Sequence, residues 1–128
     1  LARTTSSLTG MSVFFHETGD TQLADPEAVL HLYRITQEAV NNAAKHGGAR
    51  KVTIILNKSE SSLRLAVADD GKGMTLASNG TRGMGLPSMR YRARALNGEL
   101  KIDSRPGEGT IVSCEVPNRP PLAAIPAS

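Results

Sequence analysis

Gln37-Glu38-Ala39-Val40-Asn41-Asn42-Ala43-Ala44-Lys45-His46 sets polar and charged side chains on one face of a helical repeat. Two glycine clusters follow it, Asp69-Asp70-Gly71-Lys72-Gly73 and Gly83-Met84-Gly85-Leu86. The helix is bounded by its flanks: Asp25-Pro26-Glu27 offers an N-cap, a proline at the first helical position and an acidic first turn, and Lys45, His46 and Gly47 supply the stop signals. The spacing predicts a helix from Pro26 to His46. Val29, Leu32, Tyr33, Thr36, Val40 and Ala43 form its core side, and His31, Arg34, Glu38, Asn42 and Lys45 the side free for chemistry. Asn41-Asn42 costs ~0.5 kcal/mol per residue relative to Ala in mid-helix, a cost tolerated where function asks for it.

Outward from the helix, Met11 to Glu17 predicts a strand with Met11, Val13 and Phe15 in one phase. Lys51 to Lys58 and Leu63 to Asp69 predict a hairpin, turned by Ser59 to Ser62. In its second strand Leu63, Leu65 and Val67 share one phase, and Asp69 continues it inward. A carboxylate aimed at the interior must meet hydrogen-bond donors or a ligand. Gly71 to Gly85 has no periodicity and is expected to be a mobile lid. Pro87 to Leu96 predicts a short helix closed by Asn97-Gly98, and Glu99 to Ser104 and Gly109 to Val116 two further strands, with Thr110 sharing the inward phase.

Composition narrows the classes. A chain of 128 residues suits one domain, expected to span residues 11–117 between a linker or frayed helix end (1–10) and a disordered Pro/Ala-rich tail (118–128). It opens at Leu1, which suggests an excised piece of something longer or a processed product. With 3% aromatic residues and no Trp, the core must be aliphatic and no base-stacking platform exists. A net charge of +3 is too small to argue for nucleic acid, and Arg90, Arg92 and Arg94 cannot share one helix face. Cys114 is alone, so no intrachain disulfide forms; with no secretory signal and no apolar run of ~20 residues, the expected location is cytoplasmic.

Each motif alone has a plain explanation. Glu38, Asn42 and Lys45 suit the solvated side of any amphipathic helix, the glycines suit ordinary turns, and His46 can answer a helix dipole. Together they support a chemical argument. Magnesium keeps most of its water and accepts one amide oxygen such as that of Asn42 plus triphosphate oxygens. The glycines after Asp69 let backbone approach a nucleotide closely, and the segment ending at Gly85 opens a helix whose N-terminal amides suit phosphate. Asp69 can accept a hydrogen bond from adenine's exocyclic amine, which guanine carries elsewhere on its ring.

Tyr33 to Pro117 resembles the catalytic ATP-binding domain of bacterial two-component sensor histidine kinases, and most of all the nitrate-sensor type. The resemblance rests on an asparagine box at Glu38 to His46 and on glycine boxes at Asp69 to Gly73, Gly83 to Leu86 and Gly107 to Thr110. It implies the Bergerat fold, an α/β two-layer sandwich with a mixed sheet of about five strands against about three helices. It implies ATP and Mg2+ as cofactors. Carried over residue by residue, it implies that Glu38 and Asn42 are the catalytic residues, Asn42 ligating magnesium and Glu38 lying near the γ-phosphate and magnesium-bound water, and that Lys45 and His46 contact phosphates. It further implies that Asp69 recognises adenine, that Gly71 and Gly73 shape its pocket, that Thr110 supports Asp69 through water, that Gly83 and Gly85 hinge the lid, and that Met74, Met84 and Leu86 also contact the nucleotide.

The acidic-flanked phosphoacceptor motif of that subfamily is absent, and His16, His31 and His46 lie in other contexts. The resemblance therefore implies a separate dimerization domain bearing the acceptor histidine, a homodimeric full-length protein with a monomeric isolated domain, a response-regulator partner, and a setting that includes the cytoplasmic portion of a membrane-bound sensor. Two other classes share parts of the pattern. An anti-sigma-factor serine kinase has the same fold, but Gly83 to Gly98 is closer to the sensor kinases; a nucleic-acid-binding module would use Arg90, Arg92 and Arg94.

Overall fold

A computed structural model describes residues 2–8, 10–19, 25–73 and 85–118, the first stretch by its backbone alone. The order is β1 (Ala2–Leu8), β2 (Met11–Thr18), α1 (Pro26–Asn42), a π-helical turn (Ala43–Gly47), β3 (Lys51–Lys58), β4 (Ser62–Asp69), α2 (Leu86–Ala95), β5 (Glu99–Arg105) and β6 (Gly109–Pro117). The strands form one mixed sheet in the order β1-β2-β3-β4-β6-β5. β2 and β3 are parallel and every other neighbouring pair antiparallel. A parallel pair cannot be closed by a tight turn, and here α1 supplies the crossover.

Both helices pack on one face of the sheet. Strand alternation sends Val52, Ile54 and Leu56 of β3, Leu63, Leu65 and Val67 of β4, and Val112, Cys114 and Val116 of β6 into a core completed by Leu32, Ile35, Met89 and Ala93 from the helices. This is the aliphatic core that the lack of aromatics demanded. The opposite face carries the outward phase, including exposed Arg64, Lys101 and Glu115.

Two expectations change. The Ser/Thr-rich start is an edge strand rather than a linker or helix end: Ala2–Leu8 pairs antiparallel with β2, and this makes the sheet six-stranded. β-branched Thr suits a pleated edge, a preference that a polar composition conceals. The described residues carry two α-helices and a π-helical turn, in keeping with the expectation of about three helices. The second change is in the face of α1. Its buried stripe is Ala28, Leu32, Ile35, Ala39 and Asn42, while Val29 and Tyr33 are 42% and 58% exposed. Leu32 and Ala43 are buried and Val40 packs on the core as expected, but Val29 and Tyr33 give way to Ala28, Ile35 and Ala39, whose two alanines let the helix sit close to the sheet. Asn42 thereby moves from the solvent side to the end of the core stripe, 8% exposed.

At the chain's other end, the Asn118 N–H donates to the Ser61 carbonyl (3.0 Å) and its Nδ2 to the Ser59 carbonyl (2.8 Å), tying the end of β6 to the β3–β4 turn. Residues 119–128 lie outside the described residues.

Candidate functional site

The site begins where α1 stops being α-helical. Asp25 caps its start, with Oδ1 accepting the Glu27 N–H at 3.0 Å. The continuous helix expected to His46 ends at Asn42, and Ala43–Gly47 winds as a π-helical turn closed by Gly48 in the left-handed region (φ 59). Wider turns of this kind recur at functional sites. The Gly47 carbonyl is left facing β4 and accepts the Lys72 N–H at 2.9 Å.

Into that opening comes the end of β4. Asp69 follows Leu63, Leu65 and Val67 in the inward phase, opposite Thr110 of β6. Asp69 Oδ1 accepts the Gly71 N–H at 2.8 Å, and the Thr110 backbone N–H also donates to this carboxylate. Burial nevertheless dominates and raises its pKa above the usual 3.8, with the two amide bonds opposing the shift and neighbouring Asp70 adding to it. The carboxylate is a half-buried acceptor held by backbone. Thr110 Oγ1 lies 2.8 Å from Ser104 Oγ.

Asp70 plays a different part. Its Oδ1 accepts the N–H groups of Arg50 and Lys51, both at 2.9 Å, so this exposed side chain latches the start of β3. Strand alternation turns one of the two aspartates into the cleft and the other outward.

The glycines around Asp69 serve close approach. A Cβ on Gly71 would stand 2.6 Å from the Gly47 carbonyl oxygen, and one on Gly73 (φ 77) 2.2 Å from the Arg105 carbonyl oxygen. The Gly107 N–H donates to the Lys72 carbonyl at 2.6 Å. Residues 69–73 are thus wedged between the π-helical turn and the β5–β6 turn, with no room for a side chain at either contact.

A small cleft results, lined by Ala39, Asn42, His46, Gly47, Val67, Asp69, Gly73, Thr110 and Val112. It leaves ~10 Å³ for a water centre, room for about one molecule. A far larger groove, about 790 Å³, lies elsewhere, lined by residues such as Asn57, Arg64, Lys101 and Glu115. Size and chemistry disagree. In the groove Arg64 and Glu115 already pair with each other (3.2 Å) and no buried polar groups converge, whereas the small cleft gathers Asn42, Asp69 and Thr110.

Of the residues singled out from sequence, the cleft gathers Asn42, His46, Asp69, Gly73 and Thr110, and Gly71 braces it from behind Asp69. Lys45 is exposed and does not line it. Glu38 packs instead against Gly85, the left-handed N-cap (φ 69) of α2, and Leu86 leans on the core. Met74, Gly83 and Met84 lie outside the described residues, as does most of the expected lid. Ala39, Gly47, Val67 and Val112 were missed. Val67 and Val112 stand one inward step from Asp69 and Thr110, a signal available from alternation alone. Arg90, Arg92 and Arg94 diverge: Arg92 Nη1 meets His31 Nδ1 at 3.2 Å, Arg90 Nη1 reaches the Leu100 carbonyl at 3.4 Å, and Arg94 is exposed.

Comparison with known proteins adds a lineage. Residues 27–120 match the family described as histidine kinase-, DNA gyrase B- and HSP90-like ATPase. The chain is 42% identical over 87 residues to the sensor histidine kinase LiaS of Bacillus subtilis, covering 68% of this chain and 24% of that protein. It is 38% identical over 87 residues to the sensor protein VraS of Staphylococcus epidermidis, covering 68% of this chain and 25% of that one. Among solved structures, the ATP-binding domain of PrrB from Mycobacterium tuberculosis superposes with a TM-score of 0.58 at 25% identity, covering 70% of this chain and 68% of that one. The blue-light activated histidine kinase of Erythrobacter litoralis EL346 gives 0.64 at 24% identity, covering 83% and 35%, a likeness of fold. The chain spans about a quarter of the length of the two sensor relatives.

Proposed function

Because the chain belongs to the family of histidine kinase-, DNA gyrase B- and HSP90-like ATPases, we propose that it is the ATP-binding catalytic domain of a sensor histidine kinase, holding Mg-ATP for transfer of the γ-phosphate to a histidine on another domain. The observation that carries this reading is Asp69, a backbone-held, half-buried carboxylate facing a cleft that also contains Asn42, His46 and Thr110. A carboxylate there accepts from adenine's exocyclic amine and has no such donor in the same place on guanine.

Among the described residues no group of three or more His, Cys, Asp or Glu side chains could hold a metal ion. The donor set fits magnesium brought in by the nucleotide, with the Asn42 amide oxygen as the protein's contribution and phosphates and water as the rest. Bound there, the ion supplies charge neutralisation of the phosphates. His46 at the cleft and Lys45 beside it face the phosphates in this reading, Gly71 and Gly73 border the base, and Met74, Gly83, Met84, Gly85 and Leu86 belong to the covering segment. Glu38 acts near the γ-phosphate.

The partners follow from the same reading: the kinase's other domains, a dimerization domain bearing the acceptor histidine, a response regulator, and a homodimeric full-length protein of the nitrate-sensor type. No described helix is long and apolar enough to cross a membrane, and the proposed setting is the cytoplasmic side of a sensor. Phosphoryl transfer is chiefly positioning and electrostatics, and His16, His31 and His46 have no acceptor context, so the isolated chain should bind ATP and barely react. The test is label transfer from γ-labelled ATP, alone and with a dimerization domain added in trans. Transfer restored only by the added domain supports the proposal; robust acid-labile label on the chain alone refutes the division of labour.

A further inference from the structure

β5 is an outer strand of the sheet, and among the described residues β6 is its only neighbour. The Leu100 carbonyl accepts Arg90 Nη1 at 3.4 Å, so it points away from β6. By the two-residue repeat of an antiparallel pair, the backbone groups of Ile102 point the same way. The side chains of Glu99, Lys101, Asp103 and Arg105 stand exposed on the open face of the sheet, while Leu100 and Ile102 turn toward the core. The exposed series alternates in sign, and the described residues of the chain do not answer it. Across the ladder on β6, Glu99 meets another acid, Glu115, while Lys101, Asp103 and Arg105 meet Ser113, Ile111 and Gly109. The ion pairs among the described residues, Lys58 with Glu17 and Arg64 with Glu115, include none of the four.

We propose that this edge pairs with the β5 edge of a second copy of the chain, antiparallel about a two-fold axis through Ile102. In that register Glu99 stands opposite Arg105 of the second copy and Lys101 opposite its Asp103, and the symmetry repeats each pair. Every charge of the series then meets the opposite sign. Backbone direction fits the same register. The two Ile102 residues face each other as a hydrogen-bonded pair, so Lys101 and Asp103 fall at a non-hydrogen-bonded pair, where side chains lie closer. A shift of two residues, the smallest that keeps the faces aligned, sets Lys101 against Lys101 or Asp103 against Asp103. Charges on an edge strand ordinarily discourage pairing; here they discourage every register near this one and favour it alone. The strand is seven residues long, so the joint is small and the dimer weak, in place of the monomeric domain that the family resemblance implies.

Sedimentation velocity of the intact chain from about 10 μM to about 1 mM tests this. A monomer–dimer equilibrium should appear, and raising salt from about 0.05 M to about 1 M should weaken it. Lys101→Asp and Asp103→Lys each place like charges at both symmetry-related pairs, and each should weaken the dimer at least about tenfold. Both substitutions in one chain exchange the signs and should restore the affinity to within about threefold. Hydrogen exchange locates the joint: the Ile102 amide should exchange more slowly at high than at low protein concentration. The altered side chains are exposed, and thermal melts check that each variant folds; the two single reversals are independent, so either one decides if the other does not fold. A chain that stays monomeric throughout the range, a dimer indifferent to a single reversal, a double variant that fails to recover, or an Ile102 amide insensitive to concentration overturns the proposal.

Discussion

Replacing Asp69 by Asn separates what this carboxylate does for binding from what it does for folding. In the folded chain it accepts the Gly71 N–H at 2.8 Å and the Thr110 N–H, and burial raises its pKa because the charge is partly desolvated. Asn keeps one oxygen for those amides and removes the buried charge, so lost acceptance and relieved desolvation offset each other, and stability should change by no more than ~1 kcal/mol. Binding has no such offset. The amide nitrogen sets a donor against adenine's amine and removes a charge-assisted hydrogen bond, ~1.5–3 kcal/mol, or about 10- to 150-fold in affinity. Calorimetry with Mg-ATP and Mg-GTP, with thermal melts on the same samples, checks both halves. The unaltered chain should prefer ATP, and Asp69→Asn should lose most of that preference while melting near the original temperature. Unchanged ATP affinity in a folded Asp69→Asn protein would refute the adenine assignment. A collapse of the melting temperature would refute the account of the offset.

Other outcomes follow from the same geometry. Gly73→Ala combines a left-handed backbone with a Cβ 2.2 Å from the Arg105 carbonyl oxygen, whereas Gly48→Ala meets nothing within 4 Å, so urea denaturation should show Gly73→Ala as the more destabilising by at least ~1–3 kcal/mol. The two adjacent aspartates should have opposite pH signatures. Backbone bonds from Lys51 and Arg50 lower the Asp70 pKa below 3.8, so its stabilisation is present above that value and is lost as pH falls through the folded pKa. The raised Asp69 pKa makes the folded chain hold more protons than the unfolded one just above 3.8, so its contribution declines as pH rises through that window. Thermal melts across about pH 2 to 6 should lose the first slope in Asp70→Asn and the second in Asp69→Asn. Burial pushes the Cys114 thiol up to about 11, so alkylation of the native chain at pH 8 should be far slower than in denaturant, and equal rates would contradict its place in the core.

Period and punctuation determined a great deal by themselves. Alternation in Leu63, Leu65, Val67 and Asp69 and in Thr110, Val112, Cys114 and Val116 depends only on a strand's two-residue repeat, so the inward carboxylate and its neighbour were legible before any coordinates. The Asp25-Pro26-Glu27 start of α1 was legible for the same local reason. Tertiary structure decided what local rules leave open. The ridge of α1 that meets the sheet is chosen by fit, and the alanine-lined ridge won over the one carrying Val29 and Tyr33, which moved Asn42 into the core stripe. The docking of residues 69–73 between the π-helical turn and the β5–β6 turn, and the latch of Asp70 onto Arg50 and Lys51, depend on partners far away in sequence. The edge strand Ala2–Leu8 exists because β2 offers it a ladder of backbone partners, an opportunity that its mostly polar composition conceals.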